Sequence, residues 1–317
     1  MHIQLTAGTN VGLVRKNNED NFVVNINLEF DDWTVPDTPE YIELGKYGAL
    51  LVVADGMGGL NAGEVASQIA VNTMQQLFTE ENLRKIVLHD NNSKDKAISR
   101  FLANAVKTAN ANIVKISNED GSARGMGTTI VLAWLINDKA HVAWCGDSRC
   151  YVFNESSYTR ISKDHSYVQE LIDSGELNPE YAFDHPYSNI ITRCLGDDSG
   201  KASPDYRCYK LKHNDIILLC SDGLSGLCRD DEIMNIVTSS YDNLSICKEN
   251  LINAALAAGG HDNVTVALCH ITDNNTCVLG EDDSNSSDKS QLNDTLAYQN
   301  RRRNRLLNFI FGNNKHE

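Results

Sequence analysis

The feature that most constrains this chain is an uninterrupted apolar run that ends in an aspartate and then in glycines. Residues 49–59 read Ala-Leu-Leu-Val-Val-Ala-Asp-Gly-Met-Gly-Gly. A short apolar run bounded by turn residues predicts a buried strand. The step from Asp55 to Gly56 places a carboxylate at the strand end beside backbone that a ligand can approach closely. Such a corner suits a hard divalent cation that prefers oxygen ligands, although an Asp-Gly step taken alone is more often a turn.

Acidic residues recur at the ends of other predicted strands. They are Glu19 and Asp20 before residues 21–26, Asp147 after 140–146, Asp222 after 216–221 in a second Asp-Gly step, and Asp262 before 264–268. A purely parallel sheet would put these positions on opposite edges, whereas an antiparallel or mixed sheet brings them to one edge. Carboxylates on one edge repel one another unless cations neutralise them. The pattern therefore predicts a site for two or more divalent metals, which suits phosphoryl transfer.

Arg15 lies four residues before Glu19. Its guanidinium group has the planar fork that holds two phosphate oxygens at once. An ordinary surface arginine is the alternative interpretation of this residue.

The order of predicted elements indicates the fold class. Strands are predicted at 21–26, 48–54, 128–136, 140–145, 150–153, 215–220 and 264–271, and helices at 62–79, 95–117, 165–174, 230–239 and 243–258. The strands at 128–136, 140–145 and 150–153 follow one another through short turns, which indicates hairpins and an antiparallel sheet. Long helices beside an antiparallel sheet predict a layered α+β fold.

Composition narrows the class of protein. The net charge of −15 disfavours nonspecific nucleic-acid binding, so we expect no nucleic-acid partner. The nine cysteines form no CxxC pair, and several lie in apolar runs. We therefore expect reduced core thiols in a cytoplasmic protein. No signal peptide and no membrane-spanning run are evident in the sequence.

Three segments differ from the rest of the chain. Residues 29–46 and 175–205 contain prolines and predict surface excursions, and a loop as long as the second is usually functional or mobile. Residues 273–317 begin with an acidic, polar stretch and continue into a basic and apolar one, so we expect a disordered C-terminal tail after a domain at 1–272. The tail is interpreted either as a solvated segment or as a peptide that docks on a protein or an anionic surface.

Six short motifs occur in order along the chain. They are RKNNED at 15–20, ADGMGG at 54–59, MGTT at 126–129, CGDSR at 145–149, SDG at 221–223 and DNVT at 262–265. Together they resemble the metal-dependent protein serine/threonine phosphatase family (PPM, type 2C) in its bacterial form, over roughly residues 3–272. The resemblance implies a four-layer αββα architecture, in which a β-sandwich of two antiparallel sheets is flanked by α-helices.

The same resemblance implies a binuclear Mn²⁺ or Mg²⁺ centre, with a possible third ion, and assigns its ligands by matching position. Asp55 would bridge the two metals and Gly56 would give its carbonyl; Asp222 and Asp262 would bind the first metal, Glu19 and Asp20 would serve the second side, and Asp147 with Asp222 matches the weaker third position. Arg15 matches the phosphate-holding arginine, and residues 165–195 match a mobile flap. The implied reaction is direct attack of a metal-activated water on phosphoserine or phosphothreonine of phosphorylated proteins, opposing a Ser/Thr kinase.

One position departs from the family pattern. Many animal members have a histidine directly after the Asp-Gly step, proposed as the general acid, whereas this chain has Met57. Methionine cannot donate a proton, so the sequence assigns no general acid. His165 is interpreted as a structural residue that opens the following helix, and His261 as a turn or supporting residue.

The sequence also bears on two other functions. A catalytically inactive phosphoprotein-binding module on the same fold would be favoured by loss of a metal carboxylate, but every expected carboxylate is present. A phosphotransfer enzyme that uses a phosphoaspartate is disfavoured, because Asp55 is not part of an Asp-x-Asp motif and the hairpins at 128–153 do not suit its parallel sheet.

Overall fold

The structure, a computed structural model, describes residues 1–272 except 37, 59–61, 89–90, 120, 155–156 and 201, and it does not describe the side chains of 91, 92 and 122. Its strands are β1 (His2–Asn10), β2 (Asn21–Asn25), β3 (Ile42–Glu43), β4 (Ala49–Ala54), β5 (Gly56–Met57), β6 (Gly127–Thr128), β7 (Ile130–Ile136), β8 (Lys139–Cys145), β9 (Arg149–Asn154), β10 (Ser157–Arg160), β11 (Asp205–Lys210), β12 (Ile216–Cys220) and β13 (Val264–Thr272). Its α-helices are α1 (Ala62–Leu77), α2 (Glu80–Val87), α3 (Asn91–Glu119), α4 (Tyr167–Asp173), α5 (Asp222–Ser225), α6 (Asp230–Ser239) and α7 (Leu244–Ala257), and short 3₁₀ helices cover Gly121–Ala123 and Pro179–Tyr181.

The strands form two antiparallel sheets. The first has six strands in the order β10-β9-β12-β13-β1-β3, and the second has five in the order β11-β8-β7-β4-β2. The small pair β5 and β6 lies apart from both. Within the six-stranded sheet, β1 runs along the whole of β13, from His2 opposite Thr272 to Asn10 opposite Val264.

The core lies between the two sheets, and β4 shows why its sequence is apolar throughout. Every residue of β4 is inaccessible to solvent. Ala49, Leu51 and Val53 belong to the cluster between the sheets. Because side chains alternate along a strand, Leu50 and Val52 face the opposite side. A strand covered on both faces needs no polar alternation.

Helices cover the outer faces of both sheets. Helices α6 and α7 supply Ile233, Val237 and Leu251 to a second cluster on the outer face of the six-stranded sheet. On the five-stranded sheet, Trp134 of β7 meets Phe78 and Phe101 edge-on, with ring centroids 5.4 and 5.9 Å away. The four-layer αββα sandwich implied by the motifs is thus confirmed.

Each predicted strand and helix is present, with ends shifted by a few residues. The sequence patterns do not predict β1, β3, β5, β10, β11, α2 and α5. Strand β1 was missed because its second half, Thr6 to Asn10, is composed of small or polar residues. Among the described residues of 29–46 the only strand is the two-residue β3, and among those of 175–205 the only helix is one 3₁₀ turn, before β11 begins at Asp205. The predicted tail at 273–317 lies outside the described residues.

The cysteine prediction holds for most of the described thiols but not for all. Six of them are buried, whereas Cys194 is partly exposed and Cys208 is exposed. Cys208 is therefore not a core thiol. None of the helices in the described part of the chain combines the length and apolar content required to cross a membrane.

Candidate active site

Three of the site carboxylates stand at one end of the five-stranded sheet. Asp20 comes directly before β2 and Asp55 directly after β4. Because Asn21 of β2 pairs with Ala54 of β4, these two aspartates leave the sheet side by side. Asp147 follows β8 and acts electrostatically on Asp55. The antiparallel pairing thus brings residues from distant parts of the sequence to one edge.

The six-stranded sheet supplies the other two aspartates. Asp222 follows β12 and Asp262 precedes β13, two neighbouring strands in which Cys220 pairs with Val266. The carboxyl groups of Asp222 and Asp55 lie within hydrogen-bonding reach of each other. The acidic site therefore draws on both layers of the sandwich.

The carboxylates are held in surroundings that disfavour their charge. Burial, followed by the repulsion of Asp222 and other aspartates, raises the pKa of Asp55 and of Asp147 well above the ordinary range. Burial raises the pKa of Asp20 to about 8, and it also raises the pKa of Asp222. Carboxyl groups gathered in this way need shared protons or bound cations.

An unpaired oxygen tests whether this donor set fits metal ions. Oδ1 of Asp147 is buried and has no hydrogen-bond partner among the described residues. A buried acceptor without a donor is costly, unless a cation or water meets it. Several carboxylate oxygens around one point match the ligands that Mn²⁺ and Mg²⁺ prefer. The residues present therefore fit a centre of divalent cations.

Hydroxyl groups and backbone amides fix two of these aspartates. The Ser221 hydroxyl donates to Oδ2 of Asp20 over 2.7 Å. At Asp55, the backbone carbonyl accepts from Thr128 Oγ1 at 2.8 Å and from the Thr129 amide at 2.8 Å. The Asp55 amide in turn donates to Thr129 Oγ1 over 3.2 Å. The Thr-Thr pair of the third motif thus anchors the first Asp-Gly corner.

Glycine at position 56 is required by space. A Cβ there would collide with the carbonyl oxygens of Gly63 and Glu19. The Gly56 amide donates to that same Glu19 carbonyl over 3.2 Å. Gly223, beside Asp222, is equally confined, because a Cβ would collide with the carbonyl of Asn263. Both Asp-Gly steps therefore let a second backbone segment approach its aspartate.

The loop that carries Arg15 and Glu19 is tied down by Asn263. Asn263 Oδ1 accepts from the Glu19 amide at 2.8 Å. Its Nδ2 donates to the carbonyls of Val11 and Asn17 at 2.9 and 3.0 Å. Burial raises the pKa of Glu19, and the nearby Arg15 partly offsets the rise. No sequence pattern singles out Asn263, although it lies within the sixth motif.

Arg15 lies over the acidic site and is half-exposed. Its Nη2 is 2.6 Å from Oδ2 of Asp262, and the two side chains are 51% and 37% exposed. Asp262 and Glu19 are the charges that act most on Arg15, together with Asp222. The guanidinium group thus contacts one expected ligand of the metals from the solvent side.

Arg149 is a supporting residue that no sequence pattern singles out. It is mostly buried and makes a forked contact with Asp164, with Nη2 to Oδ2 at 2.7 Å and Nε to Oδ1 at 3.1 Å. It also donates to Tyr151 at 3.1 Å and to Asp230 at 3.3 Å. Its positive charge lowers the pKa of Asp147 against the effect of burial. The one indication in the sequence is that Arg149 lies two residues after Asp147 in the fourth motif.

His165 supports the loop before Asp147. Its Nδ1 accepts from the Gly146 amide at 3.1 Å, and its own amide donates to the Gly146 carbonyl over 3.0 Å. Nε2 lies 3.2 Å from Asp205. Ser166, not His165, caps helix α4 by accepting from the Gln169 amide. His261 is exposed.

The segment expected to form a flap, 165–195, is attached at both ends. The Tyr167 amide donates to the carbonyl of Ile190 over 2.8 Å. Leu195 pairs with Thr128 through hydrogen bonds of 2.8 and 3.0 Å. Between these ends, Tyr181 is 65% exposed. The segment therefore begins and ends beside residues that hold Asp147 and Asp55.

Comparison with known proteins identifies the family. The family model for protein phosphatase 2C matches residues 37–259. Protein phosphatase PhpP of Streptococcus pneumoniae serotype 2 is 33% identical over 268 residues, which span 84% of this chain and 96% of that protein.

Solved structures agree with this match. Serine/threonine phosphatase Stp1 of Staphylococcus aureus superposes with a TM-score of 0.70 at 33% identity, covering 85% of this chain and 95% of its own. The catalytic domain of the phosphatase PstP, crystallised with two manganese ions, superposes with a TM-score of 0.66 at 29% identity, covering 86% and 99%. The present chain belongs to the protein phosphatase 2C family.

Proposed function

We propose that this protein is a serine/threonine phosphatase that hydrolyses phosphoserine and phosphothreonine on proteins through a binuclear Mn²⁺ or Mg²⁺ centre. The observation that carries the proposal is the meeting of aspartates from both sheets beneath a half-exposed arginine. The names of the relatives, which include serine/threonine phosphatases, support the reaction, and the manganese ions in the PstP structure support the metal. The full set of carboxylates speaks against an inactive binding module.

The residues fall into three groups by their expected contacts. Asp55 would bridge the ions with help from the Gly56 carbonyl, Asp222 and Asp262 would hold the first ion, and Glu19 and Asp20 would serve the second. Asp147, whose Oδ1 is buried and without a described partner, would complete a third position with Asp222. When bound, the cations lower the pKa of a water molecule and offset the charge of the transferred phosphoryl group.

The chain's own groups orient and stabilise the substrate. Arg15 would grip two phosphate oxygens, since half of its side chain faces solvent. Its contact with Asp262 keeps the guanidinium group over the site before a phosphate arrives. Met57 pairs with Gly127 and offers no exchangeable proton, so it is not the general acid.

Hydrolysis of p-nitrophenyl phosphate and of a phosphothreonine peptide tests the proposal. With Mn²⁺ present we expect turnover of both, and with a chelator we expect none. Asp222→Asn should remove turnover while circular dichroism shows an intact fold, and Asp231→Asn, on the exposed face of α6, is the matched control. Turnover that persists in the chelator, or in Asp222→Asn, would contradict the assignment.

Partners and location follow from the same proposal. The substrates are phosphorylated proteins, and the enzyme opposes a Ser/Thr kinase. A cytoplasmic location is supported by the free thiols among the described cysteines. The tail, 273–317, docks on a protein or an anionic surface; its deletion should leave p-nitrophenyl phosphate turnover unchanged.

A further inference from the structure

We propose that a second metal site, suited to Zn²⁺, is formed by His141, Cys208 and Asp95, away from the acidic edge. One ligand atom from each of these residues lies within 4.8 Å of the others. His141 is at the start of β8, and Asp147 follows the other end of that strand, about 20 Å away along the backbone. The site is therefore separate from the phosphatase centre.

The sheet and a helix build the site together. Cys208 of β11 is directly opposite His141 of β8 in the antiparallel register. Directly paired residues project from the same face of a sheet. Asp95, in the first turns of α3, reaches this face, and its Oδ1 is 4.0 Å from Nε2 of His141. The three donors come from distant parts of the sequence, so a search for CxxC-type spacing does not detect this site.

The donor set is one that zinc favours. Zinc takes imidazole nitrogen, thiolate sulfur and carboxylate oxygen at about 2.0–2.3 Å in a tetrahedron, which puts the donors about 3.3–3.8 Å apart. The present separations of up to 4.8 Å must therefore contract by about 1 Å when the metal binds. Burial raises the pKa of the Cys208 thiol, so the metal has to displace its proton; the resulting thiolate selects zinc over Mn²⁺ and Mg²⁺, which prefer oxygen donors.

His141 is prepared for this role. Its Nδ1 lies 2.7 Å from the Tyr206 hydroxyl. That contact fixes the ring and leaves Nε2 facing Asp95, as supporting residues do in known zinc sites. The ring is almost fully buried. Burial also lowers the pKa of His141 to about 4, which keeps the imidazole in its neutral, metal-binding form.

Two neighbouring features define the rest of the site. Lys139 Nζ donates to Oδ2 of Asp95 over 2.6 Å, whereas His141 lies nearer to Oδ1. Oδ1 of Asp95 is therefore available to the metal. A cavity of about 320 Å³ opens beside the cluster and is lined by Asp95, Lys96, Ser99, Arg100, Tyr206 and Cys208. It gives a fourth ligand, such as water, access to the metal.

Cobalt binding to the full-length protein tests the site, with Mn²⁺ in excess to fill the phosphatase centre. Co²⁺ reports a sulfur ligand through a thiolate charge-transfer absorption, which an oxygen-only centre cannot produce. We expect this absorption to saturate at one equivalent and to be displaced by Zn²⁺. Cys208→Ser should remove it, and Tyr206→Phe should weaken Zn²⁺ binding about 10-fold or more.

Control variants keep the outcome decisive. Cys228→Ser changes a cysteine in the core cluster on the outer face of the six-stranded sheet and should leave the absorption intact. Cys208 is exposed, so its serine variant should unfold like the wild type in a thermal melt. An absent absorption, or one that survives in Cys208→Ser, would overturn the proposed site.

Discussion

Replacement of Asp20 by asparagine measures how much a buried carboxylate of the acidic site lowers the free energy of unfolding when no metal is bound. The Asp20 side chain is almost fully buried and accepts a 2.7 Å hydrogen bond from Ser221. Burial raises its pKa from 3.8 to about 8. Asparagine has nearly the same shape and can accept the same bond, but it carries no charge.

The sign of the pH effect follows from the raised pKa of Asp20. The folded chain holds this proton more tightly than the unfolded chain, so the stabilisation is complete below pH 3.8 and is lost as the pH rises to about 8. Each pH unit between these values removes up to about 1.4 kcal/mol. From pH 5 to pH 8 the metal-free wild type should therefore lose up to about 4 kcal/mol through this group.

Buried histidines oppose this trend. Burial lowers the pKa of His141 and of His270 to about 4. Between about pH 4 and pH 6.5, these histidines are therefore protonated in the unfolded chain and neutral in the folded chain. Their contribution to stability is lost as the pH falls from about 6.5 towards 4. Both residues are unchanged in Asp20→Asn, so the difference between the variant and the wild type cancels their effect.

Urea unfolding of chelator-treated protein at pH 5, 6.5 and 8, followed by circular dichroism, provides the assay. Relative to the wild type, Asp20→Asn should gain up to about 4 kcal/mol between pH 5 and pH 8. Added Mn²⁺ should stabilise the wild type more than the variant, because Asp20 is one of the proposed metal ligands. Parallel pH dependences for the two metal-free proteins would refute the reasoning, since Asp20 would then titrate alike in both states.

Three further substitutions test the supports of the site. Gly223→Ala forces a Cβ into a backbone carbonyl and should prevent folding or remove Mn²⁺-dependent activity, whereas Gly121→Ala, which meets no atom within 4 Å, should melt like the wild type. Arg149→Met leaves the mostly buried carboxylate of Asp164 with only its longer, 3.9 Å contact to Arg160 and should lower the free energy of unfolding by about 3 kcal/mol in urea titrations. Asn263→Ala removes three hydrogen bonds to the loop before β2 and should cost about 2–3 kcal/mol while reducing kcat/KM; unchanged kcat/KM would show that the loop holds its shape unaided.

The layered fold could be predicted because its strong signals are local. The apolar run of β4 and the hairpins from β7 to β9 carry their own evidence in composition and spacing. Strand β1 could not be predicted in the same way. Its second half is held by pairing with β13 from the other end of the domain, and such a contact leaves no mark on the local sequence.

The acidic site could be predicted in part for a related reason. Each aspartate lies at the end of a strand that the sequence predicts. Antiparallel pairing brings such strand ends together on one edge of a sheet. The supporting residues have no such mark: Asn263 acts through backbone atoms of a distant loop, and Arg149 through Asp164 and Asp230. Contacts of this kind depend on tertiary packing, so they can be identified only from the structure.

The division of the carboxylates between the two sheets has a mechanical consequence. Asp20 and Asp55 move with one layer, and Asp222 and Asp262 with the other. Any sliding of one layer over the other therefore changes the shape of the cation site directly. Side chains packed between the layers, such as Val53 and Leu219, act as spacers that set its dimensions. The packing of the hydrophobic core between the sheets therefore fixes the distances between the carboxylates of the two layers.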